Sequence, residues 1–522
     1  MSSRWNARPC VTALACAALL AGCTVGPDHR RPEMPASGGY SPRPLPESTA
    51  SAPVAGGEPQ RFVSARDIRA DWWTLFESKP LDGVVRKAFA ANPTVESAQA
   101  ALRIAQENVR AQRGFFFPSV QASYSPARTK IAGNLGGNSP GVQGNGTVIS
   151  TTANTPASEG GSAPFNAPVI YNFHTAQLTV GYAPDVFGGN RRQVEALEAQ
   201  AAYQQLQLEA TYLTLAANVV AAAIQEASLR QQIATTRAIV EIDTQSVALL
   251  QRQLKAGYAS RLDLAVQENA LAQASQLLPP LEKQFEQNRN LLRALTGGVQ
   301  DVELPESFEL ASLALPRELP LSLPSQLVSQ RPDVRAAEEQ LHAASAQVGV
   351  AIANRLPQFS IDATWGGAAS RFSQMFWDSG RFFSLAANVA QPLFDGGVLK
   401  HRQRAAEEAL RQADAQYRST VITAFQNVAD SLQAIHADAR SLAAAVELER
   451  TTHTSMELIR RQLGKGYVDR LALLNAEQAH HQAMLALSQA QATRLGDTAA
   501  LFQALGGGWW NRGGGEITGS RP

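Results

Sequence analysis

Apolar residues along this chain follow two alternating periods. Val334, Ala337, Leu341, Ala344, Val348 and Ala351 recur every three or four positions, which places them on one face of a helix. Just downstream, Gln358-Phe359-Ser360-Ile361-Asp362-Ala363-Thr364-Trp365 alternates polar with apolar. Period two with one apolar face marks a half-buried strand. Phe383, Leu385, Ala387 and Val389 predict a return strand. The same signals occur earlier in the chain. A helix is predicted from Pro93 to Gly114, then Ser119-Val120-Gln121-Ala122-Ser123-Tyr124 alternates, and Leu178, Val180 and Tyr182 return. Tyr171 and Phe173 have the opposite parity to Leu178 and Val180, so a bulge is expected near Thr175.

After each hairpin comes a much longer element. Residues 191–256 contain no Gly or Pro, nor do residues 398–463, and each run is 66 residues long. At helical rise such a run spans roughly 100 Å. Ala dominates both runs, and Ala-rich seams allow close helix packing. Gly257-Tyr258 and Gly466-Tyr467 end the runs, and second helices are expected over 260–296 and 469–505. Pro279-Pro280 predicts a kink or break in the first of these.

The two halves match residue by residue. Asn92-Pro93 aligns with Arg331-Pro332, Ala98 with Ala337, Leu102 with Leu341 and Pro118 with Pro357, all at an offset of 239. Arg252-Gln253-Leu254, Gly257-Tyr258 and Arg261-Leu262 align with Arg461-Gln462-Leu463, Gly466-Tyr467 and Arg470-Leu471 at an offset of 209. The first copy therefore carries about thirty extra residues. They fall in its hairpin, roughly 130–170, which is rich in Gly, Asn, Ser and Thr and reads as a long mobile surface loop.

Composition changes this picture at the amino terminus. Arg4 and Arg8 precede an apolar run from Val11 to Leu20, which reads as a secretory signal peptide. Leu20-Ala21-Gly22-Cys23 resembles a bacterial lipobox, which implies lipidation at Cys23 and a mature chain with no other cysteine. The chain has 46 Lys plus Arg and 45 Asp plus Glu, so losing two arginines turns the net charge from +1 to −1. That balance argues against a nucleic-acid partner. No uninterrupted apolar run of eighteen residues occurs, so no membrane-spanning helix is expected. The expected division is a signal peptide at 1–22, a Pro-rich lipidated tether without a core at 23–70 and a first repeat at 71–298 with its hairpin at about 119–183. A linker at 299–330, a second repeat at 331–508 with its hairpin at about 358–391 and a tail at 509–522 follow.

Amphipathic strands of about ten residues can cross a bilayer. Four strands cannot close, because the smallest ordinary barrels have about eight. Spanning strands therefore require an oligomer of about two, three or four chains, with Gln121, Ser123, Gln358, Ser360, Asp362 and Thr364 lining water. Tyr124, Trp365 and Phe383 would then face lipid or its interface. A soluble sheet packed on the helices is the other reading of the same pattern.

Several motifs now stand in a telling order. Gly22-Cys23-Thr24-Val25-Gly26-Pro27-Asp28, Asp71-Trp72-Trp73-Thr74-Leu75-Phe76, Asn92-Pro93, Phe187-Gly188-Gly189 and Pro392-Leu393-Phe394-Asp395-Gly396-Gly397 together resemble the outer-membrane factor family. This is the TolC-like group, and the nearer likeness is to its NodT-type lipoprotein branch in multidrug efflux. The resemblance covers about Cys23 to Gly508. It implies a mainly α fold with a transmembrane β-barrel part, built as a homotrimer with a twelve-stranded barrel and a periplasmic helical tunnel. Residues 299–330 and the tail would form an equatorial belt. The implied function is the passive exit duct of a tripartite pump for drugs or toxic compounds. Its implied partners are a periplasmic adaptor (membrane fusion) protein, an inner-membrane RND-type transporter and outer-membrane lipid.

The turns Gly257, Tyr258, Gly466 and Tyr467 would then meet the adaptor. Arg261, Asp263, Asp469 and Arg470 would hold the periplasmic gate, although Asp263 and Asp469 equally suit helix caps. Asn475 stands where many family members carry an acid. A type I protein-secretion channel and a lipid-anchored coiled-coil scaffold without a pore are the alternative functions. Gly137-Asn138-Ser139-Pro140-Gly141 matches G-x-S-x-G only formally, because a nucleophile elbow needs a strand before it and a helix after. His480 and His481 are adjacent and cannot both face one metal from a helix. No enzyme activity, cofactor or metal is expected.

Overall fold

The computed structural model describes residues 24–32, 39–40, 46–64, 66–131, 138–142, 148–152, 169–299, 306–322 and 324–512. Cys23 and the signal segment lie outside the described residues. Strand β1 (Arg61–Ser64) is followed by helices α1 (Lys79–Ala91) and α2 (Pro93–Arg113). Then come β2 (Ser119–Ile131), β3 (Asn138–Val142), β4 (Val148–Thr152), β5 (Val169–Tyr182), α3 (Gly189–Lys255) and α4 (Arg261–Leu295). The remainder is β6 (Glu318–Leu321), α5 (Pro324–Gln330), α6 (Pro332–Ala353), β7 (Gln358–Ala369), β8 (Arg381–Ala390), α7 (Val398–Gly464) and α8 (Arg470–Ala504). Helices α3 and α7 have 67 residues each.

Two compact units share these elements, and the long helices contribute to both. The first comprises the described parts of Met1–Arg30, Ala105–Gln200 and Leu341–Gln412. Its centre is an antiparallel four-stranded sheet in the order β2-β5-β7-β8. The segment after Cys23 is fastened within this unit. Val25 N–H donates to Phe187 O at 3.2 Å, and the buried Arg192 donates to Val25 O at 3.1 Å and pairs with Asp28 at 2.7 Å. Gly26 has φ +102, and a Cβ there would lie 2.4 Å from the Cα of Gly349, so only glycine lets these backbones touch.

The second unit holds the hydrophobic core. Trp72, Trp73 and Phe76 enter it from a 3₁₀ turn, and Leu81, Val84, Val85 and Ala88 from one face of α1. They meet Val219, Val220 and Ala223 of α3, Val421, Ala424 and Val428 of α7, and Leu495, Ala499 and Phe502 of α8. Trp72 stacks on Phe502 with ring centroids 5.4 Å apart. Each such large apolar side chain contributes about 1.5–3 kcal/mol by leaving water.

Several expectations need correction. The β2–β5 register runs unbroken from Ser119↔Gly181 to Ile131↔Val169, so no bulge occurs near Thr175. Tyr171 and Phe173 simply share a face with Gln177 and Thr179. Of the expected kink or break at Pro279 and Pro280, the break does not occur, and α4 runs on through both. The carbonyls these prolines leave unpaired, at Ser275 and Gln276, belong to exposed residues and can take water instead. The 130–170 stretch is not wholly loop, because β3 and β4 pair antiparallel within it. Ser139 therefore lies inside a strand, paired with Thr151, and not on a strand-to-helix turn. One eighteen-residue window of α3 does reach a mean hydropathy of 1.2, and 67% of it is buried. Scattered Ala, Leu and Val produce that average without an uninterrupted apolar run.

The Pro-rich segment is not a free tether throughout. Strand β1 pairs in parallel with β6, from Arg61↔Glu318 to Ser64↔Leu321. Arg494 of α8 is fully buried and donates to Thr49 Oγ1 at 3.0 Å, Gly56 O at 3.1 Å and Glu58 O at 2.7 Å. Gln60 donates to Pro316 O and Thr498 Oγ1, both at 3.1 Å. A buried guanidinium must be hydrogen-bonded, and two backbone carbonyls and the Thr49 hydroxyl take its Nη protons, while Nε is left without a partner among the described residues.

Candidate channel strands and helix tips

Register decides which strand residues share a face, because directly paired residues point the same way. One row reads Gln121, Thr179, Thr364 and Ser384, and a second reads Ser119, Gly181, Asp362 and Ala386. Ser123 pairs with Gln177, Ser360 with Asn388, and Gln358 with Ala390. All six strand positions singled out from the sequence thus fall on one sheet face. Gln177, Thr179, Ser384 and Asn388 join them, and the pairing register is what identifies these four. On this face Ser360 Oγ donates to Asp362 Oδ2 at 3.2 Å and Asn388 Nδ2 donates to the same oxygen at 3.3 Å.

The opposite face is apolar and open. Val120, Val180, Ala363 and Leu385 form one row, and Ala122, Leu178, Trp365 and Phe383 the next. Phe383 is 82% exposed, Leu385 73% and Trp365 61% within the single chain. Contiguous apolar exposure of this kind marks a surface made for lipid or for another protein. Strands β2 and β8 form the two edges of the sheet.

The two helix tips share one backbone design. At the first, Gly257 has φ +80, its N–H donates to Leu254 O at 3.0 Å, and Tyr258 N–H donates to Gln253 O at 2.8 Å. At the second, Gly466 has φ +74, its N–H donates to Leu463 O at 3.0 Å, and Tyr467 N–H donates to Gln462 O at 3.0 Å. This bond pair is the Schellman motif, in which a left-handed glycine ends the helix. Tyr258 is 87% exposed and Tyr467 77%, so neither ring packs on its own turn.

The charged tip residues do different things. Ser260 and Asp263 form a full capping box: Ser260 N–H and Oγ donate to Asp263 Oδ2 at 2.9 and 2.7 Å, and Asp263 N–H donates to Ser260 Oγ at 3.1 Å. The hydrogen bonds from Ser260 hold the Asp263 carboxyl below its usual range. Asp469 is a simple N-cap, accepting from Ala472 N–H at 2.8 Å. Arg261 and Arg470 begin their helices, exposed, and neither has an ion-pair partner among the described residues.

Sequence reasoning missed a buried carboxylate that ties the helices together. Asp243 of α3 is 1% exposed and accepts from Gln267 of α4 at 3.0 Å and Gln478 of α8 at 3.4 Å. Burial raises its pKa above the ordinary range. In the sequence it is one acid among many on a long helix, and only packing singles it out.

A family model described as outer membrane efflux protein matches residues 84–298 and again 323–507. The chain belongs to the outer membrane efflux protein family. It is an efflux protein of the bacterial outer membrane. The pyoverdine export outer membrane protein OpmQ of Pseudomonas putida is 28% identical over 470 residues, covering 89% of this chain and 94% of the relative. The toluene efflux pump outer membrane protein TtgC of the same species is 27% identical over 498 residues, covering 95% and 94%. The solved structure of the outer-membrane channel OprN superposes with a TM-score of 0.75 at 24% identity, covering 93% of this chain and all of that one. That likeness carries the fold: a helix-dominated chain with the TolC-like arrangement.

Proposed function

We propose that three copies of this chain close a twelve-stranded barrel and form the passive exit duct of a tripartite efflux pump. The observation that carries the reading is the four-stranded sheet itself. Among the described residues it has two unpaired edges, one exposed apolar face and one polar face. A sheet in lipid must close, and an apolar band outside with a polar lumen inside is how such barrels are built. The six polar positions Gln121, Ser123, Gln358, Ser360, Asp362 and Thr364 then line the lumen. A scaffold without a pore leaves the Trp365–Phe383 face uncovered.

Cys23 carries the lipid anchor, and the Val25–Asp28 segment fastened by Arg192 holds the start of the mature chain beside Phe187. Residues 299–330 and the tail make a belt around the helices. The Gly-Tyr tips, with Tyr258 and Tyr467 outermost, receive the periplasmic adaptor, and an RND-type transporter in the inner membrane drives the cargo. Arg261, Asp263, Asp469 and Arg470 crowd the tips as the periplasmic gate. The relatives' names span pyoverdine and toluene, so the duct is expected to accept chemically different small molecules without acting on them.

The test is the mass of the detergent-purified protein together with planar-bilayer conductance. Three chains per particle and discrete channel events are expected. A stable monomer without channel events would overturn both the barrel and the duct.

A further inference from the structure

The two hairpins of the four-stranded sheet match pair for pair. Ser119↔Gly181 of β2–β5 becomes Gln358↔Ala390 of β7–β8 when the first strand is advanced by 239 residues and the second by 209. Gln121↔Thr179 becomes Ser360↔Asn388 in the same way. These are the offsets that relate the two halves of the chain. One joint lies between the hairpins, β5–β7, with Gly181 opposite Asp362 and Thr179 opposite Thr364. The same offsets lead from β5 to the edge strand β8, and from β7 back to the edge strand β2.

The turns after β5 and β8 also correspond, except in what covers them. After β5, Asp185 accepts from Asn190 N–H at 2.9 Å and Arg191 N–H at 2.8 Å. After β8, Asp395 accepts from Gly397 N–H and Leu399 N–H, both at 2.8 Å. Both turns are therefore fixed by their own backbone. In the first, Val186 and Phe187 are half-buried, and the Phe187 ring meets Phe359 of β7 with centroids 6.3 Å apart. In the second, Leu393 is 95% exposed and Phe394 92%. At the start of β2, Phe117 and Val120 stand where Leu356 and Phe359 stand before and in β7, and they are 72% and 62% exposed. Both sides of the missing joint are thus bare in one chain, at the same end of the sheet.

We infer that β8 of one copy pairs with β2 of the next as β5 pairs with β7, setting Ala390 opposite Ser123 and Asn388 opposite Ser125, with Leu393 and Phe394 packed on Phe117 and Val120 of that copy. This rests on the closed barrel proposed above and adds its register. Four alternating strands leave β8 and the next β2 antiparallel, as the pairing needs. Across the joint Asn388 meets Ser125 and Ser384 meets Thr129 on the polar face, and Val389 meets Tyr124 on the other. Arg128 and Lys130 lay their stems along Leu385 and Phe383. A slip of one residue would set Asn388 beside Tyr124 and exchange the faces. A slip of two keeps the faces, so it is the repeat that selects this register. Pro126 removes at most one ladder bond in any register and does not choose among them.

The experiment is oxidative cross-linking of full-length protein in outer-membrane vesicles, read on non-reducing gels. Directly opposite residues have Cα atoms about 4.5–5.5 Å apart, within reach of a disulfide. Positions two residues off lie about 7–8 Å away, at or beyond its limit of about 7 Å. Ser125→Cys/Asn388→Cys should give dimers and trimers that reductant abolishes. Ser125→Cys/Ala386→Cys and Ser125→Cys/Ala390→Cys, shifted two residues either way, should run as single chains, as should each single-cysteine variant. Phe394→Ser removes nothing packed within the chain. It should lower by a few degrees the temperature at which the oligomer separates on a gel, with the melting of the helices unchanged. Cross-linking in a shifted pair, or in no pair while the native particle still holds three chains, overturns the register. An unmoved separation temperature in Phe394→Ser overturns the packing of the junction. A particle of one chain overturns the barrel itself, so particle mass tells the two failures apart.

Discussion

The sheet of the first unit and the core of the second use similar apolar residues to opposite ends. Trp72 is 1% exposed and stacked on Phe502, whereas Trp365 is 61% exposed with Phe383 beside it at 82%. Both are tryptophans in regular, well-paired surroundings. The core completes itself within one chain: four segments distant in sequence each supply one face, and the faces cover one another. Among the described residues nothing pairs the two edges of the sheet, and the apolar rows through Trp365, Phe383 and Leu385 stay exposed. A region that buries its apolar side chains explains stability. A region that leaves them bare in an ordered strand states what it must meet.

That contrast is easiest to break at its strongest points. Trp72→Ala should cost about 3–5 kcal/mol, read as a lowered melting temperature of the helices and loss of folded protein in the membrane fraction. A variant that melts like the parent would remove Trp72 from the core. The sheet allows a finer cut, because Phe383 and Ser384 are neighbours on opposite faces. Phe383→Arg should cost about 2–4 kcal/mol if its face meets lipid, seen as loss of the assembled oligomer in detergent. Ser384→Arg should leave assembly intact and lower cation conductance. Equal behaviour of the two substitutions would show that neither face meets lipid.

The helical unit also contains a carboxyl shifted by burial. Burial, with the carboxyl of Asp497 beside it, pushes Asp438 up to about 7. An unfolded aspartate titrates near about 3.9. Between these values the folded chain binds the extra proton, so this group lowers stability as pH rises from about 4 to 7. Asp438→Asn keeps the shape and removes the charge. It should melt above the parent at pH 8, with the gap shrinking toward pH 5, as followed by circular dichroism. A gap that stays constant between those conditions would put the titration elsewhere.

What could be read from sequence divides along the same line. Period two reached the strands because alternate residues of a half-covered sheet meet different media, and period three-four reached the helices for the same reason. Tyr171 and Phe173 misled because they are apolar residues on the polar face, and parity alone cannot tell such a residue from a bulge. Pro279-Pro280 do not break the helix, because a proline's cost depends on whether its freed carbonyls can reach water. Arg494 and Asp243 were invisible, because Arg494 is held by Thr49, Gly56 and Glu58 and Asp243 by Gln267 and Gln478, partners that only the packed chain brings together. The tips were legible to the residue, since Gly at a left-handed helix end is a local requirement.

The smallest effect separates gate from cap at those tips. Asp263 sits in a capping box with three hydrogen bonds to Ser260, whereas Asp469 accepts one from Ala472. Replacing either by Ala costs about 1 kcal/mol of helix stability, so a conductance change in those variants mixes fraying with lost charge. Asp469→Asn separates them, because Asn caps as well as Asp and carries no charge. If Asp469 and Arg470 hold the closed end by charge, Asp469→Asn should raise single-channel conductance with an unchanged melting temperature. If Asp469 only starts a helix, Asp469→Asn should conduct like the parent while Asp469→Ala frays. The first tip makes the opposite control: Ser260→Ala weakens the box without touching a charge, so a conductance rise there assigns the closed state to helix order rather than to an ionic tie.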